Sequence, residues 1–278
     1  MVIIQCLVDN KTVNAETFQS EHGVAFVIEV PAGKVLFDTG KSGAVLLHNA
    51  KRMQVDLSQV DALAISHAHN DHTGGLKAVL PKLRDGLPLH AHPDLFRERF
   101  TTKKGKARRI GLSLTQADLA QYVTLRLSPK PVQILPGLWT TGEIYERNQF
   151  EGRSPNHFIL AGDDHLPDPY RDDMALVAET PSGLIVICGC CHAGLLNTLA
   201  HAQRVFNRKI IAIIGGTHLE SVDPLILENA ICQGLVSQGH IPDLYLNHCS
   251  GERPLAILAK MLGEKVHPCP AGSIIRFE

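Results

Sequence analysis

His67-Ala68-His69-Asn70-Asp71-His72 follows the apolar run Ala62-Leu63-Ala64-Ile65-Ser66 and leads into Thr73-Gly74-Gly75-Leu76. A short apolar run that gives way to imidazole and carboxylate reads as a buried strand ending at a metal site. His67 and His69, two apart on a tight loop, can hold one ion, and Asp71 and His72 then turn toward a second. Neutral imidazole and carboxylate form a ligand set that zinc, iron and manganese all accept. An isolated H-x-H would say little. The whole H-x-H-x-D-H at a strand end, with a glycine pair behind it, points to metal.

Three further strand ends repeat the device. Leu184-Ile185-Val186-Ile187 runs into Cys188-Gly189-Cys190-Cys191-His192-Ala193-Gly194. Ile210 to Ile214 runs into Gly215-Gly216-Thr217-His218-Leu219, and Leu244 to Asn247 runs into His248-Cys249-Ser250-Gly251. Glycine beside each histidine lets the backbone approach an ion or anion without a Cβ clash. His192 and His248 are therefore expected as ligands. His218 is expected as a ligand or a substrate-contacting, catalytic group.

The chain has 278 residues, 44% hydrophobic and 20% charged, which suits an ordinary globular protein. A net charge of −1 gives no global field to recruit nucleic acid or a membrane. Val2 to Val8 is apolar but short, without a basic leader or cleavage site, and reads as a first strand. No apolar run approaches membrane-spanning length. The seven cysteines are odd in number and scattered, so reduced thiols and a cytoplasmic location are expected.

Along the chain, Gly23 to Val30 and Lys34 to Phe37 read as a hairpin closing at Asp38-Thr39-Gly40. Helices are expected over 44–53 and 73–83, and a short strand over 88–92 precedes a helix begun by Pro93. The second half alternates strand and helix from Met174 onward. Two stretches, near 97–114 and 147–173, read as irregular insertions in a single domain spanning 1–278, and such insertions are often lids or binding loops. Within residues 97–109, Arg97, Arg99, Lys103, Lys104, Lys106, Arg108 and Arg109 face only Glu98. This stretch reads either as a solvated loop or as a lid whose arginines, Arg108 and Arg109 among them, clamp phosphate. One short basic patch and 5% aromatics argue against nucleic acid. His92 reads as a proton shuttle at the site rim or as a helix cap, and Glu143 and Arg147 as substrate contacts.

The H-x-H-x-D-H string resembles the signature of the metallo-β-lactamase superfamily. That resemblance implies an α/β class fold, a four-layer α/β/β/α sandwich, with one or two divalent ions at the edge of its sheets: zinc first, iron or manganese as alternatives. Together with His92-Pro93-Asp94 and Thr141-Gly142-Glu143-Ile144, the other histidine motifs resemble one branch of it. That branch includes the archaeal synthase of methanopterin biosynthesis, which joins a dihydropterin methyl diphosphate to an aminobenzene ribofuranoside 5′-phosphate and releases diphosphate. Taken with the strand-end motifs, the expected sets are His67, His69 and His192 around one ion, and Asp71, His72 and His248 around the other. The resemblance places Asp38 near the site, holding the histidine loop through hydrogen bonds; a plain turn-forming role is the rival.

Two features depart from the superfamily pattern. The aspartate that usually bridges the metals is absent after Gly189, leaving Cys190 as thiolate, water, or Asp172 or Asp173 to take its place. The usual third histidine of the first ion is missing before Met174, and His192, or more weakly His165, could fill the gap. The resulting expectation is a metal-dependent transferase or hydrolase acting on a phosphorylated small molecule, with Asp71 orienting the nucleophile. A hydrolase of phosphodiester or lactone bonds and a non-catalytic metal or redox sensor built on Cys190 and Cys191 are the alternatives. Oligomeric state is not legible.

Overall fold

Two seven-stranded sheets lie face to face between helices. The first has the order Ile274–Phe277, Val2–Val8, Ala25–Val30, Gly33–Phe37, Ala62–Ala64, Leu87–Ala91, Val123–Leu127. The second has the order Val266–Pro268, Asp243–Leu246, Ile210–Gly215, Gly183–Cys188, Leu176–Thr180, Leu138–Thr140, Gln133–Leu135. This computed structural model describes every residue except 104, 149, 150, 153, 155 and 238, and leaves out the side chain of Lys103.

Period-two side-chain alternation builds the layers. In the strand Gly183–Cys188, Ile185 and Ile187 enter the core shared by the two sheets, while Leu184, Val186 and Cys188 enter the core under the outer helices. In the first sheet, Val27, Leu36 and Leu63 face the helix Ala44–Arg52, whereas Phe26, Ile28, Val35 and Phe37 face the second sheet. Three cores between four layers make an α/β/β/α sandwich. Both faces of each central strand are covered, which is why these strands read as continuous apolar runs.

The strands from Gly33–Phe37 outward in the first sheet run parallel, as do Gly183–Cys188, Ile210–Gly215, Asp243–Leu246 and Val266–Pro268 in the second. Their carboxyl ends gather along one edge, the usual place for a site in parallel sheets. The segments carrying Asp38, His67, Cys190, His192, His218 and His248 all leave from such ends.

The structure corrects part of the sequence reading. The helix expected over 73–83 is broken into Asn70–Thr73, Leu76–Val79 and a 3-10 turn Leu80–Lys82, since Gly74 and Gly75 sit against the backbone of Lys41 and Thr39. The helix expected after Pro93 is a 3-10 turn, Pro93–Phe96. The two stretches read as irregular contain strands that join in a third sheet, ordered Asp164–Pro167, His157–Ala161, Phe100–Lys103, Lys106–Arg109. Their charged and polar residues hid the strand period. Residues 104, 149, 150, 153 and 155 of those stretches lie outside the described residues. Among the described residues no helix is long and apolar enough to cross a membrane.

Candidate metal centre

Asp38 organises the first histidine loop. It is fully buried and sits at φ 60°, a left-handed backbone that costs a non-glycine residue free energy. Its Oδ1 accepts the Ser66 N–H at 2.8 Å, and its Oδ2 accepts the Ser66 hydroxyl and His72 Nδ1, each at 2.7 Å. Gly189 makes this possible, because a Cβ there would fall 2.2 Å from Ser66 Oγ. With Nδ1 so engaged, His72 presents Nε2 to Cys190 Sγ at 3.1 Å. His218, His248, Cys191 and Tyr170 also hold left-handed backbone near this edge, so strain concentrates there.

Two adjacent carboxylates hold the other histidines from behind. Asp172 Oδ2 accepts the N–H of Ala68, between His67 and His69, at 2.8 Å. Asp173 Oδ2 accepts the N–H of Ala193, just after His192, at 2.7 Å. His67, His69 and His192 are thereby brought together, their ligand atoms all within 4.8 Å of one another. Asp71 Oδ2 lies 3.2 Å from His22 Nε2, 3.4 Å from His248 Nε2 and 3.9 Å from His72 Nε2. Cys190 Sγ sits between these groups, near His67 with His72, near His192 with His218, and near His248 with Cys249.

The donor set fits metal. The Nε2 atoms of His67 and His69, both ring nitrogens of His192 and Nδ1 of His218 are buried without a hydrogen-bond partner. Native interiors rarely leave such atoms unsatisfied, and several converging on one spot make a donor set that an ion would satisfy. Burial pushes His67, His69 and His192 well below the ordinary imidazole range, which keeps them neutral and able to ligate.

His72 behaves differently. Burial alone would push it down, but the carboxylates of Asp38 and Asp71 outweigh burial and raise it from 6.5 to about 9. In chelator-stripped protein this imidazolium therefore contributes stability that is fully present below pH 6.5 and lost as pH rises through about 9. The Tm of stripped protein is expected to fall across that interval. Zinc affinity is expected to rise with pH, the proton of His72 alone contributing up to roughly tenfold per pH unit. Thermal melts with and without zinc across this range check both, and a stripped-protein Tm that rises there would show His72 to be neutral.

The metallo-beta-lactamase superfamily profile matches residues 21–165. The chain belongs to this superfamily. It is 29% identical over 270 residues to the 7,8-dihydropterin-6-methyl-4-(beta-D-ribofuranosyl)-aminobenzene-5'-phosphate synthase of Methanocaldococcus jannaschii, covering 94% of this chain and 91% of that protein. An uncharacterized protein of the same organism is 27% identical, with 93% and 94% covered. Among solved structures, a metal-dependent hydrolase of the β-lactamase superfamily superposes with a TM-score of 0.85 at 27% identity, over 100% of both chains.

Within this superfamily, several sequence expectations change. Asp172 and Asp173 engage backbone amides instead of standing in for a bridging carboxylate. His165 is exposed and stacks on Phe158 at 4.2 Å, away from the histidine group. Arg108 and Arg109 are exposed on the strand Lys106–Arg109, and Arg109 is engaged by Glu98 and the Leu112 carbonyl. Arg99, counted with the basic stretch, is fully buried against Asp94, Asp168 and Asp172. Among the described residues of the stretch, Arg99 is an internal cation, and Arg108 and Arg109 lie exposed on a surface hairpin. His92 Nδ1 accepts the Asp94 N–H at 3.0 Å and caps the turn, while its Nε2 lies 3.4 Å from Glu143, which also holds Arg171. His92 and Glu143 thus meet each other, and their described contacts do not reach the metal-ligand set. Arg147 is spent on the carbonyls of Ile144, Pro169 and Tyr170.

Sequence reasoning missed His22, Cys249, His157 and Tyr170. Tyr170 stacks on His192 with centroids 4.5 Å apart, and its hydroxyl lies 2.9 Å from His157 Nδ1. A cleft of about 410 Å³ opens beside His192 and His218, lined also by Ser154, Asn156 and Thr217. The stretch 147–173 thus borders the cleft, whereas 97–114 contributes none of its described lining.

Proposed function

We propose that this chain is a metal-dependent enzyme acting on a phosphorylated small molecule, with diphosphate-releasing transfer to an arylamine as its reaction. The observation that carries the reading is the set of buried, unpartnered imidazole nitrogens beside an open cleft. His67, His69 and His192 would hold one ion, and Asp71, His72 and His248, with Cys190 between the two sets, the other. When bound, such ions supply Lewis-acid neutralisation of charge on phosphate oxygens. The cleft matches that division of labour. Among its described lining residues there is no lysine or arginine; the polar side chains include Ser154, Asn156 and two carboxylates, Glu151, which is held by Asn148 and the Leu196 amide, and Asp223, so cations for phosphate would have to come from the ions. Leu219, Val222 and Ile226 give an apolar wall suited to an uncharged ring.

In this reading Asp71 fixes the nucleophile by accepting its hydrogen bond. His218, at the cleft with Nδ1 free of protein partners, moves a proton to or from the substrate. Tyr170 and His157 brace His192 from the far side. The name of the Methanocaldococcus jannaschii relative supports the pterin and phosphate chemistry. The structural neighbour, a metal-dependent hydrolase, favours a second reading in which water is the acceptor.

The test is diphosphate release from a dihydropterin methyl diphosphate by zinc-loaded protein, with and without the aminobenzene ribofuranoside 5′-phosphate. Release that requires the second substrate and yields a coupled product supports the transferase. Release without it selects the hydrolase. No release from protein shown to carry metal removes the pterin assignment.

A further inference from the structure

We propose that Cys190 and Cys249, with His248, form a sulfur-rich metal position, so that the centre pairs an all-imidazole position with a thiolate one. The inference rests on the reading of the histidine cluster as a metal centre and revises the second ion's set to Cys190, Cys249 and His248, leaving one tetrahedral place for Asp71 or His72. Cys190 Sγ and Cys249 Sγ are 3.3 Å apart, and both lie within 4.8 Å of a ligand nitrogen of His248, all three residues being buried. Two thiolates on one tetrahedral zinc stand about 3.7 Å apart, so this pair needs only a few tenths of an ångström of adjustment.

The surroundings are built for the pair. The N–H of His218 points at Cys249 Sγ at 3.3 Å, a donor that favours thiolate. Gly216 leaves room for that sulfur, since a Cβ there would lie 2.7 Å from it. His248 is fixed from behind: its N–H donates to Asp9 Oδ1 at 2.7 Å and its Nδ1 meets Asn10 Oδ1 at 3.1 Å. That leaves Nε2 facing the cluster, the arrangement expected when the second ring nitrogen orients a ligand. The pairing also replaces the expected Cys190–Cys191 couple, because Cys191 instead engages Cys188. Soft sulfur donors select zinc, iron or cobalt over manganese or magnesium, and each thiol proton leaves as metal enters.

The test uses the full chain, stripped, reduced and reloaded with cobalt(II). A sulfur-to-cobalt charge-transfer band in the near ultraviolet is expected. It should weaken in Cys249→Ser, vanish in Cys190→Ser/Cys249→Ser, and persist in Cys232→Ser, whose thiol lies elsewhere in the core. The double variant should still bind one cobalt on His67, His69 and His192. Cobalt uptake by the unaltered protein without the band overturns the thiolate position while leaving the metal centre standing, as does a band that survives in the double variant. No cobalt uptake at all overturns both. If the serine variants do not fold, as circular dichroism would show, the spectrum of the unaltered protein still decides.

Discussion

Asp71→Ala is expected to lower the rate of diphosphate release by about 10²- to 10⁴-fold, the range for losing a side chain that acts on a nucleophile's proton, here by accepting its hydrogen bond. The geometry makes the effect specific. One carboxylate oxygen of Asp71 reaches toward His22, His72 and His248 at 3.2, 3.9 and 3.4 Å. Burial works against its charge, yet His72, with His22 and His248, holds its carboxyl well below the usual carboxylate range. The side chain is therefore an anion at working pH, anchored on the imidazoles that would surround the second ion. Turnover measured together with metal content separates its roles. A rate within tenfold of the parent at full metal occupancy would remove Asp71 from the chemistry. Thiol-dependent responses that persist without any turnover would favour the sensor.

Arg99→Met is expected to cost about 3–5 kcal/mol of folding stability, because it strands buried carboxylates without their cation. Arg99 is 0% exposed and lies 3.2 Å from Asp94, 3.0 Å from Asp168 and 2.6 Å from Asp172. Its approach to Asp168 is close but poorly aligned, so charge rather than hydrogen bonding carries that contact. Burial already pushes Asp172 up to about 7 even with the guanidinium opposing it. Without Arg99, Asp172 would protonate or move, and the Ala68 amide between His67 and His69 would lose its acceptor. The loss should appear in the denaturant midpoint, with weaker metal binding beside it. A change below about 1 kcal/mol would mean that the carboxylates find water or another cation.

The parts of the site visible in the sequence are the local ones. His67 to His72 is contiguous, and the glycine-histidine endings at 192, 218 and 248 each follow an apolar strand, so one segment carries each signal. Groups whose meaning depends on distant partners were not visible. His22 lies in an irregular segment with no periodicity, and only folding sets it against Asp71. Asp172 and Asp173 read in the sequence as possible stand-ins for the bridging aspartate, and only their amide partners, more than a hundred and about twenty positions away, show them holding the histidine loops. Cys249 stands next to His248 in the sequence, but only folding brings Cys190 beside it. The third sheet was hidden for a related reason: Phe100–Lys103 pairs with His157–Ala161 across a long separation, and exposed Lys106–Arg109 carries no apolar alternation. Arg99 shows the same limit, since composition assigned it to a basic surface and tertiary charge pairing put it inside.

The sharpest single measurement is a crystal structure of zinc-loaded protein with anomalous data collected at the zinc edge. Two anomalous peaks are expected, one among His67, His69 and His192 and the other beside Cys190, Cys249 and His248. An ordered centre that shows no anomalous peak after zinc loading, with those ring nitrogens satisfied by water, would contradict the assignment of this cluster as a metal centre and the enzymatic reading that rests on it.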